Sequence, residues 1–256
     1  MRFFVCIFSI LISTFCLFIP LNSPAQQMQM ITYAVQSGTG FFVNRQNIVT
    51  NAHVVNGCTN VFIKGAVPEH EATVRFTDPD RDLAVIETNQ PPPEFAPLRY
   101  NIDDLKTGDQ VMVIGYPGEA GARGEYKVAQ AQIQDIKINE GGSDKWLYIT
   151  DVVDHGNSGG PVLDTSGNVI GVVVAKAAIT MSNSLTHEKV SEQNAGVVIT
   201  LKTLMQFLLD NGVFSELGGS GGVIFSDSYL EERARNYIVN VQCRIKKDNV
   251  QPPPTD

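Results

Sequence analysis

Runs of positively charged residues are missing from the sequence. The 256 residues include 19 Lys and Arg against 27 Asp and Glu, which gives a formal net charge of -8. Binding to nucleic acid requires clustered Lys and Arg side chains for the phosphates, and the sequence has no such cluster. Charged residues make up 18% of the chain and hydrophobic residues 43%, which is typical of folded proteins. The composition therefore predicts a folded protein that does not bind nucleic acid.

Metal-binding patterns are also missing. The four histidines are scattered, and the sequence has neither an H-E-x-x-H motif nor closely paired cysteines. We therefore expect no metal ion and no organic cofactor. Of the four cysteines, Cys6 and Cys16 lie in an apolar N-terminal segment, which leaves Cys58 and Cys243. These two can form a disulfide in an oxidising compartment, and two buried thiols are the alternative that the sequence leaves open.

The first 25 residues predict a secretory signal peptide. Arg2 precedes an almost wholly apolar segment, residues 3–19, and Ser23-Pro24-Ala25 follows as a small-residue cleavage site. An uncleaved anchor is the alternative, but this apolar segment is at the short limit for a membrane-spanning helix. We expect cleavage after Ala25, a mature protein without a stable membrane anchor, and a periplasmic or secreted location.

The rest of the chain has the pattern of an all-β protein. Short segments rich in β-branched residues alternate with Gly, Asn and Asp, which is typical of a barrel or a sandwich. Three consecutive prolines after Gln90 cannot lie in a central strand and indicate a connection between two halves. Predicted strands include residues 31–35, 40–43, 47–50, 83–87, 110–115 and 161–164. Towards the C-terminus we predict a helix over 201–211, a glycine-rich joint, a short helix over 229–236, a strand over 237–245 and a disordered tail over 248–256.

The motif with the clearest chemistry is residues 154–161, DHGNSGGP. A serine hydroxyl is a weak nucleophile that needs an adjacent base and hydrogen-bond donors aimed at the developing oxyanion. Gly156 allows the backbone before Ser158 to turn, so that the N–H groups of Gly156 and Ser158 point into one pocket. Taken alone, the motif also fits a glycine-rich turn in which Ser158 only caps a hydrogen bond.

A histidine and an aspartate in suitable positions accompany this serine. His53 follows a predicted strand, and Asp82 directly precedes an apolar β-branched strand. A catalytic triad needs an imidazole base and a carboxylate that orients it. Asp78 and Asp80 are interpreted as turn residues, since neither of them adjoins the apolar strand. We therefore predict that His53, Asp82 and Ser158 form a catalytic triad. The N–H groups of Gly156 and Ser158 are predicted to form the oxyanion hole.

The order His, Asp, Ser is that of chymotrypsin-type enzymes rather than of subtilisins or α/β-hydrolases. Five short elements are SGTGFFV at 37–43, IVTNAHVV at 48–55, DLAVI at 82–86, VIGYPG at 113–118 and GNSGGP at 156–161. In these elements, with their order and spacing, the chain resembles trypsin-like peptidases of the HtrA type. The resemblance implies an all-β, chymotrypsin-like fold of two six-stranded antiparallel β-barrels with a C-terminal helix, and an active site in the cleft between the barrels.

The resemblance also implies a domain organisation. The expected parts are a protease domain over 26–215 with a seam near 90–107, a glycine-rich linker over 216–222, and a helix and strand over 223–247 that pack on the protease domain. HtrA-type proteins usually carry a PDZ domain after the protease, and too few residues follow Leu201 for one here. The last predicted strand resembles the one that normally precedes the SGTG element, and its return to the N-terminal barrel would bring Cys243 toward Cys58.

The function that the resemblance implies is that of a serine endopeptidase, which cleaves polypeptides through an acyl-enzyme. Apolar residues are expected to line the substrate pocket, namely Val152, Val153, Val173, Val174 and Ala175. The sequence has no carboxylate where the resemblance places the base of this pocket. We therefore expect a small or aliphatic residue before the scissile bond.

Two other functions fit parts of the pattern. The G-x-S-x-G motif also occurs in α/β-hydrolases, but these need a histidine after the serine, and His187 lies in a polar stretch rather than at a strand end. The second alternative is a protein of the same fold with an idle triad that binds peptides or acts as a chaperone, because a fold does not determine a function.

Overall fold

The structure, a computed structural model, describes residues 32–101, 103–138, 145–182 and 189–247. The predicted signal peptide and the predicted C-terminal tail lie outside the described residues. Within these four ranges, no helix is both long enough and apolar enough to cross a membrane.

Strands form most of the regular secondary structure in these ranges. They are β1 (Tyr33–Phe42), β2 (Asn47–Thr50), β3 (Asn60–Gly65), β4 (His70–Asp78), β5 (Leu83–Glu87), β6 (Gln110–Gly115), β7 (Lys127–Ile138), β8 (Lys145–Thr150), β9 (Pro161–Asp164), β10 (Val169–Ser182), β11 (Lys189–Thr200) and β12 (Ile238–Lys246). The helices are α1 (Ala52–Val55), α2 (Gly118–Arg123), α3 (Leu201–Asp210) and α4 (Asp227–Ala234).

The strands close into two six-stranded barrels. Around the first barrel the order is β1-β12-β3-β4-β5-β2, and around the second it is β10-β11-β8-β7-β6-β9. All neighbouring strands pair in the antiparallel sense. Closure pairs the backbone groups that an open sheet would leave exposed at its edges. The predicted all-β, two-barrel fold class is confirmed.

The last strand of the chain completes the first barrel. β12 lies between β1 and β3 and pairs with β1 from Tyr33 to Phe41. The prediction of two separate strands over 31–35 and 40–43 is wrong, since β1 runs without a break from Tyr33 to Phe42. Gly38 weakens the local strand signal, but a long antiparallel partner outweighs local propensity and holds these residues in one strand.

A disulfide joins Cys58 to Cys243. Cys58 follows α1, and Cys243 is fully buried in β12. Of the two alternatives that the sequence leaves open, the structure contains the bonded one. The bond spans 185 residues of sequence and ties the end of α1 to the C-terminal strand.

The connection between the barrels is fixed by hydrogen bonds. Leu98 donates its N–H to Glu216 at 2.9 Å and accepts the Gly218 N–H at 2.7 Å. Next to it, the buried guanidinium of Arg99 forms an ion pair with the buried carboxylate of Asp164. The glycine-rich segment 216–222 therefore packs against the connection rather than hanging free of it.

Candidate active site

The short helix that carries His53 is anchored by its other side chains. Asn51 separates α1 from the end of β2, and the helix residues Ala52, Val54 and Val55 are buried. The His53 side chain, by contrast, is 50% exposed. A helix of 4 residues has almost no stability of its own, so this burial is what fixes the imidazole at the surface of the first barrel.

Asp82 holds the imidazole by two contacts. The backbone N–H of His53 donates to Asp82 Oδ1 at 3.0 Å, and His53 Nδ1 lies 2.8 Å from Asp82 Oδ2. A carboxylate only accepts hydrogen bonds, so Nδ1 carries the proton of the neutral ring and Nε2 keeps a free lone pair. A lone pair on Nε2 is what a general base needs.

The backbone of Asp82 adopts the left-handed conformation. Its φ is +52, the one positive φ outside glycine among the described residues. This conformation costs most residues roughly 1–2 kcal/mol, and Asp and Asn tolerate it best. Asn51 Nδ2 donates to the carbonyl of Asp82 at 2.9 Å and supports the turn. The carboxylate of Asp78 instead accepts the N–H of Asp80, so Asp82 is the aspartate of this turn that contacts His53.

Ser158 shares a cleft with His53 but is not hydrogen-bonded to it. Both residues line one cavity of about 740 Å³. The Ser158 hydroxyl donates to the carbonyl of Val174 at 2.9 Å, and within the described part of the chain no hydrogen bond joins it to the imidazole. The structure therefore places His53 and Ser158 at one cleft, with Asp82 in contact with His53 and the serine hydroxyl turned toward β10.

Hydrogen bonds to its backbone carbonyl groups fix the loop at residues 155–158. All four successive carbonyls from His155 to Ser158 accept a hydrogen bond. The donors, in chain order, are Gly118 N–H at 2.6 Å, Thr39 Oγ1 at 2.6 Å, Gly160 N–H at 2.8 Å and Thr39 N–H at 2.8 Å. In a trans peptide the N–H points opposite to the C=O. The N–H groups of Gly156 and Ser158 therefore point away from these anchors, and neither has a partner among the described residues.

Gly156 is required by the shape of this loop. Its φ is +96, a conformation that glycine adopts without strain. A Cβ atom at this position would collide with the carbonyl oxygen of Tyr116. Any other residue would therefore displace one of the two unpaired N–H groups.

The walls of the cavity include three of the five residues predicted for the substrate pocket. Val153, Val174 and Ala175 line it, whereas Val152 and Val173 do not. Val173 is fully buried in the core of the second barrel, because successive side chains of β10 point to opposite faces. Val152 packs against that same core.

Sequence reasoning missed the residues that anchor the loop. Thr39 and Gly118 both lie in elements that carry the family resemblance, SGTGFFV and VIGYPG, but local sequence does not reveal which loop they contact. Both contacts cross more than thirty positions of sequence, and they exist only once the barrels have formed. The described residues contain no group of three or more His, Cys, Asp or Glu side chains arranged to hold a metal ion.

The chain is similar to known serine proteases. Residues 38–172 match the family model of the trypsin-like peptidase domain. The serine protease Rv3671c of Mycobacterium tuberculosis is 37% identical over 153 residues, which cover 56% of this chain and 37% of that protein. A probable periplasmic serine endoprotease, DegP-like, of Brucella suis is 34% identical over 144 residues, or 55% of this chain and 28% of that protein.

A solved structure shows the same fold. The active form of the Rv3671c protease of M. tuberculosis superposes with a TM-score of 0.55 and 29% identity, covering 75% of this chain and 80% of that one. The chain spans about a third of the length of the curated relatives it matches.

Proposed function

The chain belongs to the trypsin-like peptidase family, and we propose that it is a serine endopeptidase that uses His53, Asp82 and Ser158. One observation carries the proposal: an imidazole oriented by a carboxylate shares a cleft with Ser158, and the loop that carries Ser158 has two unpaired N–H groups. Each part of this arrangement has a defined task in acyl transfer.

Catalysis begins with a rotation of the Ser158 side chain. Serine side chains exchange between staggered rotamers, so the hydroxyl can leave the Val174 carbonyl and donate to His53 Nε2. His53 accepts the hydroxyl proton while Ser158 Oγ forms a bond to the peptide carbonyl carbon. Asp82 stabilises the imidazolium that results.

The negative charge then develops on the substrate oxygen. The N–H groups of Gly156 and Ser158 stabilise this oxyanion, since both are held in place by anchors on the far side of the loop. The C–N bond breaks as His53 returns the proton to the leaving amine. Water, deprotonated by His53, releases the new carboxylate and regenerates Ser158.

The substrate that this cleft fits is an extended polypeptide. β10 pairs with β9 only as far as Val172, so the edge beyond it has no partner strand among the described residues. The cavity follows this edge from Val174 to Ala178 and begins at Ser158. An extended chain can add to such an edge by main-chain hydrogen bonds.

We expect a small or aliphatic residue before the scissile bond. Val153, Val174 and Ala175 present apolar surface to the cavity, and its charged lining residues, Asp154 and Lys176, are exposed. A buried Arg or Lys side chain would lack a partner on the apolar walls. Digestion of a peptide library should therefore yield cleavage after Ala, Val or similar residues. Cleavage mainly after Arg and Lys would contradict the preference.

We also propose that the protein is exported, because it has the predicted signal peptide and because a relative is named periplasmic. Residues 26–215 would form the protease domain, and residues 223–247 would pack on it. N-terminal sequencing of the exported protein should begin at Gln26, and recovery of Met1 would contradict cleavage. The alternative function is an idle member of the family that binds peptides without cleaving them.

A further inference from the structure

Thr39 connects the first barrel to the loop that carries the oxyanion donors. It lies in β1, is fully buried, and contributes both its backbone and its side chain. Its N–H donates to the carbonyl of Ser158 at 2.8 Å, and its hydroxyl donates to the carbonyl of Gly156 at 2.6 Å. Thr39 thus contacts the residues on both sides of Asn157.

The direction of the Thr39 hydroxyl is fixed. Its oxygen accepts the N–H of Tyr116 at 2.9 Å, and an N–H group can only donate. The one hydroxyl proton is therefore committed to the Gly156 carbonyl. The peptide group that it holds, between Gly156 and Asn157, separates the two peptide groups whose N–H atoms are the oxyanion donors.

Close packing around Thr39 leaves little room for another group to take over the hydrogen bonds of its hydroxyl. Gly115 packs so closely that a Cβ there would lie 2.7 Å from Thr39 Oγ1. Without the hydroxyl, the Gly156 carbonyl and the Tyr116 N–H would both be buried and unpaired. Such groups are expensive to leave unsatisfied, so the loop would turn to find other partners.

We propose that Thr39 is a positioning residue, whose hydroxyl fixes the orientation of the Gly156 oxyanion donor from the first barrel. The inference rests on the proposed peptidase function. If Thr39 has this role, the rate of acyl transfer at the Ser158 loop of the second barrel depends on a side chain of the first barrel. The Thr39 hydroxyl would contribute to stabilising the transition state and would not contribute to binding the substrate.

The test compares Thr39→Val, which keeps the shape and removes the hydroxyl, with Thr39→Ser, which keeps the hydroxyl. We measure the rate of labelling by a fluorophosphonate and, on a cleaved peptide, kcat and KM separately. Thr39→Val should lose about 10- to 100-fold in labelling rate and kcat with KM unchanged, since one oxyanion donor contributes on the order of 100-fold or more. Thr39→Ser should stay within about threefold of the unmodified protein, because it can make the same hydrogen bond.

Thr50→Val is the matched control. Thr50 is also fully buried, and its hydroxyl donates to a backbone carbonyl, that of Thr39, at 2.7 Å. It should lower stability comparably but labelling far less than Thr39→Val does. Equal losses in the two Val variants would overturn the inference, because they would indicate general loosening of β1.

Two further outcomes keep the inference separate from the proposed function. If the unmodified protein is labelled and Thr39→Val is labelled equally fast, the role of Thr39 is wrong while the function stands. If the unmodified, folded protein is not labelled, the proposed function fails and the inference falls with it. Should Thr39→Val not fold, Thr39→Ser and Thr39→Ala, which differ by one hydroxyl, replace it, and equal labelling of these two overturns the inference.

Discussion

Asp82 combines a backbone requirement with a chemical one. Its left-handed conformation, with φ of +52, allows both carboxylate oxygens to face His53, one toward the backbone N–H and one toward Nδ1. The two requirements can be separated by substitution, because Asn tolerates this conformation almost as well as Asp but is neutral.

We expect Asp82→Asn to keep the fold and lose most of the activity. The amide can orient the ring in the wrong tautomer and cannot stabilise the imidazolium, and the loss in kcat should be about 10⁴-fold. Asp82→Ala should lose activity similarly and, in addition, about 1 kcal/mol of stability, since Ala is strained in the left-handed region. Kinetics and urea unfolding of both variants test this. Comparable activity of Asp82→Asn and the unmodified protein would argue against the assigned role.

The residue scale also shows where sequence patterns are sufficient. His53 and Ser158 line one cleft and Asp82 contacts His53, and each could be selected from the sequence because its chemical type and local motif are distinctive. Thr39 has an ordinary side chain whose partner, Gly156, is 117 positions away. Val173 could not be separated from Val174 without knowing which face of β10 each occupies.

At the scale of elements, α1 depends on its attachments. The helix carries His53 on its exposed face, and the chain directly after it is fastened to β12 by the Cys58–Cys243 bond. The bond therefore restrains both the position of the helix and the return of the C-terminal strand.

Removal of this bond should destabilise the protein. Replacement of both cysteines by serine is expected to lower the free energy of unfolding by about 2–5 kcal/mol, because closure of so long a loop restricts the unfolded chain. Urea unfolding measures the change, and treatment of the unmodified protein with a reductant should produce a similar one. Unchanged midpoints in both experiments would mean that the bond contributes nothing to stability.

Short elements bounded by clear turns were predictable. The bounds of β2, β5, β6 and β9 coincide with the predicted segments, since each is a compact apolar run between turn residues. The bounds of β1 could not be predicted, because its continuity depends on a partner strand that lies about 200 positions later in the chain. Local propensity has no access to that pairing.

For the molecule as a whole, β12 is the element that closes the first barrel. A chain that ends at Gly222 would lack α4 and β12 and would expose the edges of β1 and β3. We expect such a chain to aggregate or remain unfolded, because unpaired edges and an open core are both unfavourable. Size-exclusion chromatography and circular dichroism test this, with a chain that ends at Lys247 as the control. A folded, monomeric chain ending at Gly222 would contradict the prediction.

The pH dependence of stability should be pronounced on the alkaline side. Burial raises the pKa of Tyr116 from its ordinary value of 10.0 to about 12, and burial likewise raises the pKa of Tyr237. Above pH 10 the unfolded chain loses these protons before the folded chain does, so unfolding becomes more favourable as the pH rises through this range. The urea midpoint should fall between pH 10 and pH 12, and Tyr116→Phe should reduce that fall. A constant midpoint over this range would contradict the burial of these phenols.

The most direct test of the central claim is the labelling of the purified protein with a fluorophosphonate beside Ser158→Ala. The probe reacts with a serine only when a base and an oxyanion hole activate it. We predict labelling of the unmodified protein and none of Ser158→Ala, with loss of labelling in His53→Ala as well. A folded, unmodified protein that is not labelled would contradict the peptidase function and favour a member of the family that only binds peptides.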